Sequence, residues 1–120
     1  MGNKKIECEL KKILNLGVMF MEISESQIQK LINKLTDEDY DVRKNIEDVL
    51  IKLDEQSLKP LISSLNDNNS EIQIQSARIL GKIANKNALN PLIESLNHGD
   101  ADFRREVSLA INKIVDKNPE

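Results

Sequence analysis

The sequence predicts an all-α protein, a right-handed α-α superhelix of about three two-helix repeats preceded by an N-terminal capping helix. Two observations predict this class. The pattern Leu-Ile-x-x-Leu occurs three times at intervals of about thirty residues, beginning at Leu31, Leu61 and Leu92, and no useful length of the chain alternates apolar and polar residues as a strand would. Helix pairs of this length cannot bury their apolar faces alone, so the repeats must stack on one another.

Each repeat begins with a short amphipathic helix. An apolar residue three positions before each Leu-Ile pair extends the spacing to i, i+3, i+4 and i+7, which marks one stripe of a helix. These residues are Ile28, Leu58 and Leu89. Ser26 is predicted to cap the first of these helices. Pro60 and Pro91 are predicted to lie in the first turn of the second and third, where a missing N–H costs little.

A second helix follows in each repeat, with five aligned positions that stay apolar or small. In repeat order they are Val42, Ile46, Val49, Leu50 and Leu53; Ile72, Ser76, Ile79, Leu80 and Ile83; and Phe103, Val107, Ala110, Ile111 and Ile114. Asp39, Asn69 and Asp100 precede these helices at aligned positions, and all three belong to the residue types that favour the N-cap. The recurrence of both features predicts three copies of one helical hairpin.

The chain, residues 1–120, is predicted to form one α-solenoid domain. Its parts are an N-terminal cap and linker (1–25) and three repeats (26–56, 57–87 and 88–118). Within the first part, Ile6, Leu10, Ile13 and Leu14 have helical spacing and are predicted to form a lone second helix that covers the end of the stack. The apolar run at 18–23 is interpreted as packing over the first repeat, with an exposed docking or dimerisation patch as the alternative.

The second helix of the middle repeat reads Ile-Gln-Ile-Gln-Ser-Ala-Arg-Ile-Leu-Gly-Lys-Ile over residues 72–83. It resembles the HEAT-like repeat of the phycobilisome-lyase type, whose second helix runs V-R-x-x-A-A-x-A-L-G-x-I. The other repeats keep Asp41-Val42-Arg43 and Asp102-Phe103-Arg104, and we expect each aspartate and arginine to serve the tight turn together. Four positions depart from the motif: Gln73, Glu47, Ile51 and Asn112. The resemblance implies a fold and leaves the function open, because this repeat serves many unrelated proteins.

By the same resemblance, the second helices line a concave surface and the variable positions of the motif point into it. The residues so predicted to bind a partner are Lys44, Asn45, Asp48, Lys52, Ile74, Gln75, Arg78, Lys82, Arg105, Glu106, Leu109 and Lys113. They carry six positive and two negative charges, so the rest of the chain sums to −7. Ile74 and Leu109 are expected to be exposed apolar anchors. Such a face suits an acidic peptide or protein surface, and an ordinary solvated face is the alternative.

Residues that could carry catalysis or bind a cofactor are sparse. The chain has one histidine (His98) and one cysteine (Cys8), and it contains neither a Gly-rich phosphate loop nor a nucleophile motif. We therefore expect no enzymatic activity, no cofactor and no metal site. Four aspartates fall on positions of a calcium-loop template: Asp37, Asp39, Asp41 and Asp48. Valine stands where that loop requires glycine, so we interpret them as turn and cap residues.

The leading hypothesis is a non-enzymatic interaction module or scaffold that binds a partner protein or an acidic peptide on its concave face. DNA binding through the same basic face is one alternative. The net charge of −3 and the expectation that neither Tyr40 nor Phe103 stacks a base in the groove count against it. A role as a regulatory subunit of an enzyme complex is the second alternative. A cytoplasmic monomer or weak homodimer without a membrane partner is expected, since a lone cysteine suits a reducing compartment.

Overall fold

The computed structural model describes residues 22–119 as a stack of helices in which no strand occurs. The six helices of this range are α1 (Glu25–Asn33), α2 (Tyr40–Leu53), α3 (Glu55–Ser63), α4 (Ser70–Ile83), α5 (Leu89–Ser95) and α6 (Ala101–Lys117). They form three pairs, and the second helices α2, α4 and α6 pack on one another in that order. The predicted all-α repeat stack is confirmed. The predicted N-terminal capping helix and most of the apolar run at 18–23 lie outside the described residues.

The first helices of repeats 1 and 2 begin earlier than predicted. Ser24 caps α1 through a capping box: its Oγ accepts the N–H of Gln27 at 3.1 Å, and the Gln27 side chain accepts the N–H of Ser24. The prediction of Ser26 as the cap was wrong, because Ser26 already lies inside the helix. Pro60 was also misplaced. It is the sixth residue of α3, so the missing N–H removes one hydrogen bond from the helix, whereas Pro91 lies in the first turn of α5 as predicted.

The three predicted caps of the second helices are confirmed. Asp39 accepts the N–H of Asp41 at 2.8 Å, and Asn69 accepts the N–H of Glu71 at 2.9 Å. Asp100 accepts the N–H of Phe103 at 2.9 Å. Each cap satisfies a backbone donor that has no partner within its own helix.

Arg43 and Arg104 serve the turn before their helices, as expected, but they bond backbone carbonyls there and not the aspartates two residues earlier. Arg43 Nη1 donates instead to the carbonyl oxygen of Asp37 at 2.7 Å, and Arg104 Nη1 donates to that of Gly99 at 2.7 Å. Gln73, which replaces the arginine of the motif, also donates to a backbone carbonyl before its helix, that of Leu65. The residue at this position thus bonds the preceding backbone in all three repeats, although the carbonyl differs.

Helix pairs enclose a single core that runs along the stack. The largest fully buried side chains are Phe103, Ile28, Ile32, Leu35, Leu50, Leu61, Leu65, Ile79, Leu80, Leu92, Ile114 and Val107. Each contributes about 1.5–3 kcal/mol relative to an exposed side chain. Leu50 and Leu80 are fully buried as the predicted stripe requires, which directs the opposite faces of α2 and α4 to solvent.

Candidate functional site

The predicted binding residues lie on one surface of the stack. All twelve belong to α2, α4 or α6, and none of them is fully buried. Because these helices pack side by side, their aligned positions form a continuous surface, here called the second-helix face. Leu109 is exposed on it, as expected. Ile74 is partly buried and packs against the core, so it is less exposed than expected, and its role as an anchor stays a prediction.

A buried carboxylate lies between α2 and α4, beneath the second-helix face. The Glu47 side chain is only 4% exposed, and it accepts hydrogen bonds from Arg78 Nη2 at 3.1 Å and from Lys82 Nζ. Glu47 occupies a position where the motif has a small residue, and it was not among the residues predicted for the face. Glu47 therefore forms ion pairs with two of the six cations predicted for the face.

The pKa of Glu47 follows from these neighbours. Burial raises its pKa, but the hydrogen bond from Lys82 and the charges of Arg78, Lys82 and Lys44 lower it by more, so the pKa lies below its ordinary value. Glu47 is consequently ionised at neutral pH. The carboxylate holds Arg78 and Lys82 at fixed positions at the edge of the face.

A pocket of about 200 Å³ lies next to this cluster, between α2 and α4. Its lining residues are Tyr40, Arg43, Lys44, Glu47, Gln75 and Arg78. The exposed ring of Tyr40 lies 5.7 Å from the guanidinium carbon of Arg43, a cation–π arrangement. Tyr40 was not among the residues predicted for this face. The spacing of Tyr40, Lys44 and Glu47 (i, i+4, i+7) places them on one helix face and was the available signal.

Several donors at the face have no acceptor within residues 22–119. Lys44, Lys52 and Lys113 make no ion pair with any described residue. Arg78 Nε is buried and finds no hydrogen-bond partner in the same range. Arg105, by contrast, pairs with Asp102 at 2.8 Å on the surface, where both side chains are exposed.

The first-helix side of the stack has a different charge. A pocket of about 270 Å³ lies between α3 and α5, and its lining includes one carboxylate, Glu94, and neither lysine nor arginine. The exposed ring of His98 lines this pocket and stacks on Phe103, with ring centroids 5.6 Å apart. Of these two pockets, formed by described residues, the one on the second-helix side is lined by cations and the one on the first-helix side is not.

Two of the four aspartates of the calcium-loop template serve the turn before α2. Asp37 accepts the N–H of Asp39 at 2.9 Å, and Asp39 in turn caps the helix. Across residues 22–119, no three side chains of histidine, cysteine, aspartate or glutamate converge in the way a metal ion would require. Local backbone bonds thus explain Asp37 and Asp39, whereas Asp41 and Asp48 lie within α2.

The comparison with protein families decides the identity of this fold. The family model for HEAT repeats matches residues 28–112, well over half of the chain. The chain belongs to the HEAT repeat family. HEAT repeats are commonly protein-interaction scaffolds, and the family is generally non-catalytic. No curated protein matches the chain. The narrower phycobilisome-lyase type stays a prediction for this HEAT repeat protein.

Within residues 22–119, no helix has both the length and the apolar composition needed to cross a bilayer.

Proposed function

We propose that this HEAT repeat protein is a non-enzymatic interaction module whose second-helix face binds an acidic segment of a partner protein. The observation that carries the proposal is the pocket between α2 and α4, whose walls hold three cations and one carboxylate. That carboxylate, Glu47, is already paired with Arg78 and Lys82. The surface therefore offers an excess of positive charge at a place where the helices leave room for a side chain.

The donors without acceptors indicate which groups such a partner would supply. Lys44 lines the pocket, is exposed, and makes no ion pair with a described residue. A carboxylate entering the pocket would accept a charge-assisted hydrogen bond from its ammonium group. Electrostatic complementarity of this kind mainly accelerates association and selects the partner.

Apolar surface beside these charges supports a protein partner. Tyr40 is exposed at the pocket, and Leu109 is exposed on α6. Tyrosine and arginine are enriched among the residues that dominate binding energy at protein interfaces. Together they suit a peptide that combines acidic residues with a few apolar ones.

Fluorescence anisotropy with a short fluorescein-labelled oligo-glutamate peptide tests the proposal. The variant Lys44→Glu/Lys52→Glu reverses two cations of the face, and Lys30→Glu/Lys59→Glu reverses two exposed lysines of the first helices. We expect the first variant to weaken binding about tenfold, which corresponds to about 1.4 kcal/mol, and the control variant to bind like the wild type.

Three results would overturn the proposal. Equal weakening in both variants would indicate unspecific charge attraction, and absence of binding to the wild type at low salt would remove the acidic partner. Tighter binding of a short labelled DNA duplex than of the peptide, with a steep loss at rising salt, would replace the protein partner by DNA.

A further inference from the structure

One apolar stripe of the second helix is enclosed in two repeats. It comprises Ile72, Ser76, Ile79 and Ile83 on α4, and Phe103, Val107, Ala110 and Ile114 on α6, none of which is more than 8% exposed. The stripe of α6 faces the preceding second helix, because Ala110 lies directly against Gly81 of α4. Each second helix therefore buries this stripe against the repeat before it.

The aligned stripe of α2 is not enclosed in the same way. It consists of Val42, Ile46, Val49 and Leu53, here called the α2 outer stripe. Val42 is 36% and Val49 38% exposed, while Ile46 and Leu53 are partly buried. No second helix precedes α2 among the described residues. The first repeat therefore presents an apolar surface at the position where the other two repeats have a neighbour.

We propose that residues 6–14 of the same chain cover the α2 outer stripe as a helix. Ile6, Leu10, Ile13 and Leu14 follow the spacing i, i+4, i+7 and i+8, which places four apolar side chains on one helix face. The segment thus supplies one apolar helix face, which can pack against the exposed α2 outer stripe.

The connection between residue 14 and the start of α1 is long enough for this arrangement. Nine residues separate Leu14 from the Ser24 cap of α1, and nine extended residues span about 30 Å. Packed helices lie about 8–10 Å apart, so residues 15–23 can reach from a helix on the stripe to the start of α1. The tether also keeps the segment at a high effective concentration near the stripe.

A second copy of the chain is a poorer occupant. Stable interfaces between proteins bury about 800 Å² on each partner, and a stripe of four side chains along one helix is small against that area. An intramolecular contact needs no such area, because it loses far less translational and rotational freedom.

Thermal unfolding of the full chain tests this assignment with a matched pair of variants. Leu10→Lys and Asn15→Lys add the same charge to the same segment, but only Leu10 belongs to the apolar face. We expect Leu10→Lys to lower Tm by about 5–10 °C, as a loss of one to two kcal/mol would in a domain of this size, and Asn15→Lys to leave Tm nearly unchanged.

The double variant Leu10→Lys/Val49→Lys locates the contact. If Leu10 packs on the α2 outer stripe, the two Tm losses will not add, because each variant alone already breaks the same contact. An unchanged Tm in Leu10→Lys would overturn the proposal, and additive losses would place the segment elsewhere on the molecule. A wild-type dimer that Leu10→Lys converts to a monomer in light scattering would make a second copy the occupant and also overturn it.

Discussion

The two contacts between successive second helices solve the same packing problem in opposite ways. Between α4 and α6, Gly81 lies so close to its neighbour that a Cβ atom there would stand 2.9 Å from the Cα of Ala110. Between α2 and α4, Glu47 occupies the position that aligns with Ala77, and its carboxylate binds Arg78 and Lys82. Two aligned positions thus distinguish the contacts: Ala77 and Gly81 give a close apolar contact, whereas Glu47 and Ile51 give a polar one with a pocket beside it.

This difference assigns different tasks to the two contacts. Close packing of small residues gains dispersion and buries apolar surface without unpaired polar groups. An ion cluster must first offset the desolvation of its carboxylate, so it adds less net stability than an apolar contact of the same size. The α4–α6 contact is therefore expected to contribute more to the stability of the stack than the α2–α4 contact, which leaves the pocket beside Glu47.

The largest effect is expected at the close contact. Gly81→Leu places a bulky side chain against the backbone of α6, and we expect it to lower the free energy of unfolding by about 3 kcal/mol or to prevent folding. Asn112→Leu, at the aligned exposed position of α6, is the control and should cost less than about 0.5 kcal/mol. Urea unfolding followed by circular dichroism measures both. Comparable losses in the two variants would contradict a close α4–α6 contact.

A smaller loss is expected from neutralising the buried carboxylate. Glu47→Gln leaves two cations without a counter-charge, and we expect it to cost about 2 kcal/mol at pH 7. This is less than for a fully buried pair, because the side chains of Arg78 and Lys82 are 39% and 34% exposed and water relieves them. The exposed residue Asp48, changed to asparagine, serves as the control.

The pH dependence of this loss has a definite sign. Folding lowers the pKa of Glu47, so its contribution is present above the ordinary glutamate pKa of 4.5 and is lost as pH falls through the lower folded value. Wild type and Glu47→Gln should therefore differ at pH 7 and converge at acid pH. A difference that stays constant from pH 7 to below pH 4 would show that the charge of Glu47 is not the cause.

The smallest effect concerns the two arginines of the face. Arg105→Ala removes an exposed pair with Asp102 and should change the free energy of unfolding by less than about 0.5 kcal/mol. Arg78→Ala should cost about 1.5 kcal/mol, because buried Glu47 loses one of its two partners. Chemical unfolding of both variants gives the comparison. Equal losses in the free energy of unfolding of the two variants would place the Glu47 cluster at the surface and not inside the α2–α4 contact.

Local features of this fold were accessible from the sequence. The caps Asp39, Asn69 and Asp100 act on backbone groups two or three residues away, and the spacing around Leu50 and Leu80 marks the buried stripe. The predicted N-cap of α1 was wrong because two suitable cap residues lie close together in the sequence. Ser24 and Ser26 are both good caps, and only the reciprocal bond with Gln27 selects the first.

The sequence by itself determined that the chain forms paired helices in three copies, because helix periodicity and capping depend on residues within about four positions of one another. The tertiary structure alone decided what lies between the pairs. Glu47 meets Arg78 and Lys82 across 31 and 35 positions of sequence, and Ile74 turns partly into the core. Such contacts depend on the distance and register between helices, and neither quantity is encoded in the spacing within one helix.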